Sequence, residues 1–199
     1  MSIEPFQNAE KEDEARAARS RALEERLFRA RTILIYGAIN QKAAEVFSAR
    51  LLALSAESDD PITIYLNSQG GHVESGDTIH DLIKFVKPVV RIVGTGWVAS
   101  AGALIYAAAR REHRLSLPNT RFMLHQPSGG AGGTASDIAI MAKEIVRMRG
   151  RLNEIFARET GQPLARIEQD TERDYWMSAQ EALDYGLVGR IVASAAEIG

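Results

Sequence analysis

The sequence predicts an α/β fold in which parallel strands alternate with helices and one long helix projects from the body. Short β-branched runs and stretches with helical spacing alternate along the chain, and strands that follow one another through helices are usually parallel. A chain of 199 residues that is 45% hydrophobic can bury a core of its own. One helical stretch is about twice the usual length, and a helix that long usually protrudes.

The first 31 residues are predicted to form a charged helical segment, followed by one domain over residues 32–199. Within this segment, a helix over residues 9–31 has its acidic residues first and its arginines last, an order that suits the helix dipole. Only its C-terminal end is expected to pack on the domain, because its apolar stripe is short. That stripe consists of Leu23, Leu27 and Phe28.

Short apolar runs predict the strands of the domain. In chain order these runs are TILIY, ITIYLN, VVRIVGT, HRLSL, RFMLH and GLVGRIVA. Gly37 is expected to end the first strand, and SQGG after the second strand is expected to form a turn, because glycine favours turns. Helical spacing follows in QKAAEVFSARLLALSAES and VESGDTIHDLIKFV, and an apolar helix after the third strand holds Ser100 in its first turn.

The longest helical stretch covers about residues 134–160. Near the C-terminus, Ser178 begins the sequence SAQE, with Glu181 three residues further on. A serine followed at this spacing by a glutamate is typical of a capping box at a helix N-terminus. We therefore expect a short helix after Ser178, ahead of the last strand.

Composition excludes several classes of function. The 24 basic and 26 acidic residues nearly balance, so no strong field would hold nucleic acid or an anionic membrane. The absence of cysteine from the sequence removes disulfides, thiolate metal sites and cysteine nucleophiles. Acidic residues stand where a signal peptide needs a basic start, and no apolar run reaches the ~18 residues of a membrane span. We therefore predict a cytoplasmic protein whose chemistry uses oxygen and nitrogen groups.

Ser100 is the candidate nucleophile, because helix N-termini present unpaired N–H groups that can stabilise an oxyanion. The alternative is a buried serine bonded to a carbonyl one turn back. Among the four histidines, His125 ends a strand and precedes QPSGG, in a place where loops tend to carry function. An acid that orients the imidazole would lie in EQDTERDYWMS. The residues alone leave three choices open there: Asp170, Glu172 and Asp174.

Other motifs point to other kinds of site. GTGWVA fits the G-x-G-x-x-G/A dinucleotide-binding pattern, but no acid closes the next strand about 20 residues on. DTIHD offers Asp77, His80 and Asp81 as metal ligands, but sequence neighbours diverge around a helix. We therefore predict neither a metal site nor a bound cofactor. The glycine clusters in NSQGGHVESG and QPSGGAGG each follow a strand and would let an extended polypeptide approach bare backbone.

Five longer motifs occur in order along the chain: YLNSQGG, ASAGALI, LPNTRFMLHQPSGGAGGTASDIAI, RMRGRLNEIFARETGQ and IEQDTERDYWMSAQEALDYGLV. Together they resemble the Clp protease proteolytic subunits, a family of serine peptidases. The similarity runs over residues 32–192, about four fifths of the chain. It implies a crotonase-like α/β spiral of strand-strand-helix units, with the stretch 134–160 as a protruding handle helix.

The resemblance also implies roles for single residues. By similarity, Ser100 is the nucleophile, His125 the base and Asp174 the acid of a Ser-His-Asp triad. The backbone N–H groups of Gly71 and Ala101 would be the oxyanion donors. An arginine that bridges two rings in the family corresponds to Arg173. The segments that would hold the substrate strand comprise Gly70, Gly71, His72, Val73, Pro127, Ser128 and Gly129.

Members of this family are expected to stack two heptameric rings around a chamber that receives unfolded polypeptides from an ATP-driven Clp-type unfoldase. ATP would be used by that partner and not by this chain. The sequence departs from the family at three places. Gln69 stands where proline is usual, and Ala101 stands where methionine is common. The charged segment before Arg31 replaces the apolar segment that docks the unfoldase, which leads to the hypothesis of mixed rings with a conventional paralogue.

Two alternatives stand beside the peptidase. A crotonase-type acyl-CoA enzyme shares the expected fold and also places paired backbone N–H groups on a thioester oxygen. A non-catalytic subunit would keep the three triad residues without aligning them. The alignment of three side chains in space therefore decides between a working and a silent site.

Overall fold

The computed structural model describes residues 4–130 and 132–198, with side chains described from Arg16 onward. Its helices are α1 (Glu4–Arg29), α2 (Gln41–Glu57), α3 (Val73–Phe85), α4 (Ala101–Ala107), α5 (Ala135–Thr160), α6 (Leu164–Asp170) and α7 (Ala179–Tyr185). Its strands are β1 (Thr32–Ile39), β2 (Ile62–Gly71), β3 (Val90–Ala99), β4 (Arg114–Ser116), β5 (Arg121–Leu124), β6 (Tyr175–Ser178) and β7 (Arg190–Ile191). Single turns of 3-10 helix cover Arg111–His113 and Ala195–Glu197.

The strands form one sheet in the order β1-β2-β3-β4-β7, and every neighbouring pair in that path is parallel. Strand β3 is long enough to pair twice on the same side. Its first half pairs with β4, and its second half pairs with β5 in parallel. Strand β6 then adds to β5 in antiparallel orientation. The predicted α/β class with parallel strands is confirmed, while the antiparallel strand β6 is absent from the sequence prediction.

The predicted break at Gly37 and the predicted turn at SQGG are both wrong. Strand β1 continues to Ile39 through a bulge between Tyr36 and Ala38, and β2 continues to Gly71. The reason is that the end of β2 is paired on both sides, with Ala38 and Ile39 of β1 and with Val98 of β3. Two ladders of backbone hydrogen bonds outweigh the local turn preference of glycine.

The end of β3 also differs from expectation. GTGWVA lies within β3, so it forms no glycine turn between a strand and a helix, and the dinucleotide site is excluded. Ser100 is the N-cap of α4 instead of a residue of its first turn. In the C-terminal run GLVGRIVA, only Arg190 and Ile191 pair as a strand, although Leu187 and Val188 are fully buried.

Among its described side chains, which begin at Arg16, helix α1 packs apolar residues on the domain through its last turn, and Glu24 adds an ion pair with Arg50 of α2 at 3.2 Å. Residues 16–26 are exposed, and Leu27 and Phe28 are half-buried. Leu23, which was expected to join this stripe, is 58% exposed. The helix starts at Glu4, earlier than the predicted residue 9, and residues 1–3 of the predicted segment lie outside the described residues.

Helix α5 leaves the body of the domain. Its N-terminus is fixed by a capping box, in which Thr134 Oγ accepts from the Asp137 N–H and the Asp137 carboxylate accepts from the Thr134 N–H. It ends at Gly161, which adopts the left-handed conformation. All its buried residues, beginning with Leu152, lie in its second half. The first half is therefore solvated in the single chain.

The predicted capping box at the C-terminal helix is confirmed. Ser178 Oγ accepts from the Glu181 N–H at 3.2 Å, and the Glu181 carboxylate accepts from the Ser178 N–H at 2.7 Å. The Ser178 N–H and then the Ser178 hydroxyl, both of which donate to the Glu181 carboxylate, lower the pKa of that group. Among the described residues, no helix is both long and apolar enough to cross a membrane.

Candidate active site

Three strand ends meet beside helix α4. Ser100 follows β3, His125 follows β5, and Asp174 precedes β6. Strands β3 and β5 are parallel and pair Ala99 with Met123, so their C-terminal ends lie side by side. Strands β5 and β6 are antiparallel and pair Leu124 with Tyr175, which places the residue after β5 next to the residue before β6. The sheet thus brings together side chains that are 25 and 49 residues apart in sequence.

The imidazole of His125 lies between the other two side chains. Its Nε2 is 2.7 Å from Ser100 Oγ, and its Nδ1 is 3.2 Å from Asp174 Oδ1. When Nδ1 carries the proton, it donates to the carboxylate, and the lone pair of Nε2 accepts from the Ser100 hydroxyl. The arrangement can therefore remove a proton from Ser100 and stabilise the resulting imidazolium.

Ser100 occupies a strained backbone conformation, with φ 56° and ψ −122°. Non-glycine residues rarely adopt positive φ, and such residues cluster at functional sites. The strain is held from both sides, because the Ser100 N–H donates to the Met123 carbonyl at 2.9 Å and its carbonyl accepts from the Leu104 N–H at 3.2 Å. This sharp turn between strand and helix projects the hydroxyl toward His125.

A second set of hydrogen bonds fixes the segment that carries Asp174. The Gln126 N–H donates to the Thr171 carbonyl at 2.7 Å, and Gln126 Nε2 donates to the Glu172 carbonyl at 2.8 Å. The side chain of His125 is 25% exposed and that of Asp174 is 62% exposed. The carboxylate therefore acts on the imidazole from the solvent side of the site.

The structure distinguishes the three acids that the sequence leaves open. Asp170 accepts from the Tyr185 hydroxyl at 2.8 Å, and Glu172 forms an ion pair with Arg149 at 2.6 Å. Burial, followed by the hydrogen bond and charge of Asp170, raises the pKa of Tyr185, so this phenol stays protonated as a donor. Of the three acids, only Asp174 contacts the imidazole.

Of the two glycines at the end of β2, Gly70 lies against Ser100 and Gly71 lies against the backbone of Ile39. Gly70 has φ +97°, and a Cβ placed on it would be 2.6 Å from Ser100 Cβ and 2.8 Å from the Ala99 carbonyl oxygen. Only glycine fits there, because a side chain would collide with backbone and with the hydroxyl-bearing residue. The Gly70 N–H donates to Ser68 Oγ, whereas Ala101 is the first residue of α4 and its N–H has no intrahelical partner.

An apolar pocket of about 20 Å³ adjoins the hydroxyl of Ser100. Val73 and Pro127 contribute to its walls, so the two predicted substrate segments lie on either side of it. Ala101, a predicted oxyanion donor, also lines the pocket. The remaining apolar lining residues were not predicted, although Leu152 and Phe156 have the spacing of a buried helix face. They are Leu104, Leu124, Leu152 and Phe156.

The remaining predicted site residues are more exposed. His72 Nδ1 is 3.0 Å from Ser75 Oγ, and its Nε2 is 3.2 Å from the Glu74 carboxylate. Ser128 and Gly129 are exposed in an extended segment after β5. Arg173, predicted as a contact between rings, is also exposed and lies next to Asp174.

The metal alternative has no support in the described residues, where no group of three His, Cys, Asp or Glu side chains could hold an ion. His80 is 4% exposed, with Nδ1 2.8 Å from the Asp81 carboxylate. Asp77 points elsewhere and accepts two hydrogen bonds of 2.7 Å from the guanidinium of Arg151.

Comparison with known proteins agrees with this geometry. The Clp protease family model matches residues 15–195. The ATP-dependent Clp protease proteolytic subunit 3 of Rhizobium etli is 65% identical over 175 residues, covering 88% of this chain and 90% of that relative. The ATP-dependent Clp protease proteolytic subunit 2 of Pseudomonas aeruginosa is 54% identical over 176 residues, covering 88% of each chain.

A solved structure gives the same result. ClpP1 from Listeria monocytogenes superimposes with a TM-score of 0.82 at 55% sequence identity, covering 89% of this chain and 99% of that chain. The family resemblance seen in the sequence motifs is therefore confirmed. The chain belongs to the Clp protease family and is a peptidase of that type.

Proposed function

We propose that this chain is a serine endopeptidase that hydrolyses unfolded polypeptides with Ser100, His125 and Asp174 as its catalytic triad. The observation that carries the proposal is the alignment of the three side chains, with Nε2 2.7 Å from the Ser100 hydroxyl and Nδ1 3.2 Å from the Asp174 carboxylate. The strained backbone of Ser100 adds support, because nucleophiles of this kind occupy sharp turns between a strand and a helix.

The reaction proceeds in two halves. His125 takes the proton of the Ser100 hydroxyl while Oγ attacks the carbonyl carbon of the peptide bond. His125 then gives that proton to the leaving amine, the C–N bond breaks, and an acyl-enzyme forms on Ser100. Water attacks the ester with His125 again as base, and Ser100 leaves with the returned proton. Asp174 holds the imidazole and stabilises its charged form in both halves.

Backbone donors complete the proposed site. The N–H groups of Gly71 and Ala101 face the tetrahedral oxyanion, where the loss of one donor typically costs about 3 to 4 kcal/mol. The substrate adds as an extended strand between residues 70–73 and residues 127–129, with a small apolar side chain in the pocket beside Ser100. Glycine at residues 70 and 71 lets β2 pack closely against Ser100 and Ile39, where a Cβ would collide with them, and so brings this backbone next to the nucleophile.

The alternatives have less support. The names of the relatives give no support to an acyl-CoA enzyme, which would not need an activated hydroxyl. A silent subunit would leave the triad misaligned, whereas the present distances are within reach of proton transfer.

A serine-directed fluorophosphonate tests this proposal. We expect covalent labelling of the folded chain at Ser100, located by mass spectrometry of proteolytic fragments, because the reagent requires an activated hydroxyl. The same chain unfolded in urea serves as the control and should stay unlabelled, since the triad no longer exists. Absence of labelling at Ser100 in the folded chain would exclude the triad mechanism.

We also propose two stacked heptameric rings in which α5 is the handle between rings and Arg173 is a contact across them. Support comes from the exposed first half of α5, which carries large apolar residues that a partner would cover. They are Ile138, Ile140, Met141 and Val146. A Clp-type ATPase would supply unfolded substrate; in support, the relatives are named proteolytic subunits of ATP-dependent Clp proteases. The exposed charged helix α1 favours mixed rings with a paralogue as a second arrangement.

Native mass spectrometry tests the assembly. We expect a particle of about fourteen chains of 21.8 kDa, alone or after mixing with the paralogue. Ile140→Glu should reduce the particle to single rings, because it places a charge in the apolar contact. Leu23→Glu, the same kind of change at the exposed site on α1, is the control and should leave the mass unchanged. A full-size particle with Ile140→Glu would contradict the role of α5.

A further inference from the structure

The three strands that carry the candidate triad also carry a second group of side chains. Trp97 lies on β3, Arg121 on β5 and Trp176 on β6. Side chains alternate along a strand, so extending this alternation by one residue past the end of β5 and before the start of β6 puts Arg121 on the face of His125 and Trp176 on the face of Asp174. We call Trp97, Arg121 and Trp176 the Trp–Arg patch. It continues the face of the sheet that holds the imidazole and the carboxylate.

The members of the Trp–Arg patch contact one another. Register pairs Trp97 with Arg121, and Met123 with Trp176, so the three side chains are neighbours across the strands. The indole rings are nearly parallel at 10°, with centroids 6.4 Å apart. The guanidinium carbon of Arg121 lies 4.3 Å from the ring centroid of Trp176. The patch is therefore an ordered surface with fixed geometry.

This surface is open to solvent. Trp97 is 42% exposed and Trp176 is 36% exposed, and neither belongs to the core of the domain. Arg121 has a cation–π contact but no ion pair within the described parts of the chain. The carboxylate of Glu181, near the end of β6, accepts instead from the N–H and hydroxyl of Ser178. A positive charge and two aromatic rings thus lie next to the site without a partner that neutralises the charge.

The distance from the site corresponds to a few residues of substrate. A strand rises about 3.3 Å per residue, which puts Trp176 about 7 Å from Asp174 and Arg121 about 13 Å from His125 along their strands. An extended substrate advances by the same rise. A substrate that extends from residues 127–129 back over this face of β5 and β6 would therefore bring side chains two to four residues from the scissile bond to the Trp–Arg patch.

We propose that the Trp–Arg patch binds such side chains and favours polypeptides that carry an aspartate or glutamate two to four residues from the cleaved bond. The carboxylate pairs with Arg121, and the apolar part of the substrate packs on the indole rings. Two observations indicate that the patch binds substrate: it continues the face of the triad, and its positive charge has no ion-pair partner among the described residues. The inference rests on the proposed peptidase function and names the substrate preference of that site.

Matched peptides test the preference. Two fluorogenic decapeptides differ only in aspartate or lysine, placed at one position two to four residues from the scissile bond. We expect kcat/KM to be about fivefold higher for the best aspartate peptide than for its lysine partner, as for a partly exposed charge pair. Arg121→Gln should bring this ratio to about one. Arg166→Gln is the control, because Arg166 also lies over an aromatic ring, 5.0 Å from that of Tyr185, but on α6.

A binding experiment separates this inference from the peptidase proposal. Trp97 and Trp176 of the patch are the only tryptophans in the sequence, so intrinsic fluorescence reports on the patch directly. In the Ser100→Ala chain, where no bond is cleaved, the aspartate peptide should shift the emission at lower concentration than the lysine peptide, and Arg121→Gln should remove that difference. An inactive wild-type chain that still shows this shift would overturn the peptidase proposal and support the patch.

Two results would overturn the Trp–Arg patch as a substrate surface. One is a kcat/KM ratio that Arg121→Gln leaves unchanged. The other is a smaller native mass for Trp97→Ala, because a loss of subunits would show that this face contacts a second copy of the chain.

Discussion

Ser100→Ala is expected to lower peptidase activity by about a factor of 10⁶. The substitution removes the oxygen that attacks the peptide carbonyl and leaves the imidazole without a proton to take. Residual hydrolysis of about 10³ to 10⁴ over water would come from the oxyanion donors and substrate binding alone. Cleavage of an unfolded protein substrate, followed by electrophoresis and by a fluorogenic peptide, measures the loss.

The fold should tolerate this change. Ser100 makes its structural contacts through its backbone, with the Met123 carbonyl and the Leu104 N–H, and alanine keeps both. The native mass and circular dichroism should therefore match those of the unchanged chain. Ser48→Ala is the matched control, because that hydroxyl binds the Ala44 carbonyl on α2, away from the site, and its loss should alter activity less than twofold. Turnover retained by a correctly assembled Ser100→Ala chain would contradict the assignment.

Features that depend on local sequence were accessible without the structure. The capping box at Ser178 and the helix over residues 134–160 follow from short-range patterns, and both occur at the expected positions. The placement of Ser100 between an apolar strand and an apolar helix also follows from the order of residues. Its positive φ does not, because the Ser100 N–H donates to the Met123 carbonyl, which lies on β5, a strand that is distant in sequence.

The choice of the acid depended on long-range pairing. The run YWMS is short and carries no clear alternation, so β6 was not predicted, and without the family resemblance the residues leave three acids open. The antiparallel register of β6 on β5 is what places Asp174, and neither Asp170 nor Glu172, beside the imidazole. The same reasoning explains SQGG, which is a turn by local preference and a strand by pairing on both sides.

Asp174→Asn is expected to lower kcat by about 10⁴-fold while KM changes little. The amide removes the negative charge that stabilises the imidazolium. Its NH₂ group can also donate to Nδ1, which moves the ring proton to Nε2. A protonated Nε2 cannot accept the proton of the Ser100 hydroxyl. The carboxylate now lies 3.2 Å from Nδ1, so a side chain of the same size keeps the contact and changes only its chemistry.

The exposure of Asp174 makes this a demanding test, because water covers much of a carboxylate that is 62% exposed. If the carboxylate acted only through its charge at long range, its replacement would lower kcat little, because solvent screens that charge. A large loss in kcat would therefore demonstrate direct orientation of the imidazole. Asp184→Asn is the control: it removes the same charge from α7, where the carboxylate binds only Gln180, and should leave kcat unchanged. A drop of less than tenfold for Asp174→Asn, in a particle of native mass, would mean that His125 works as a base without its acid.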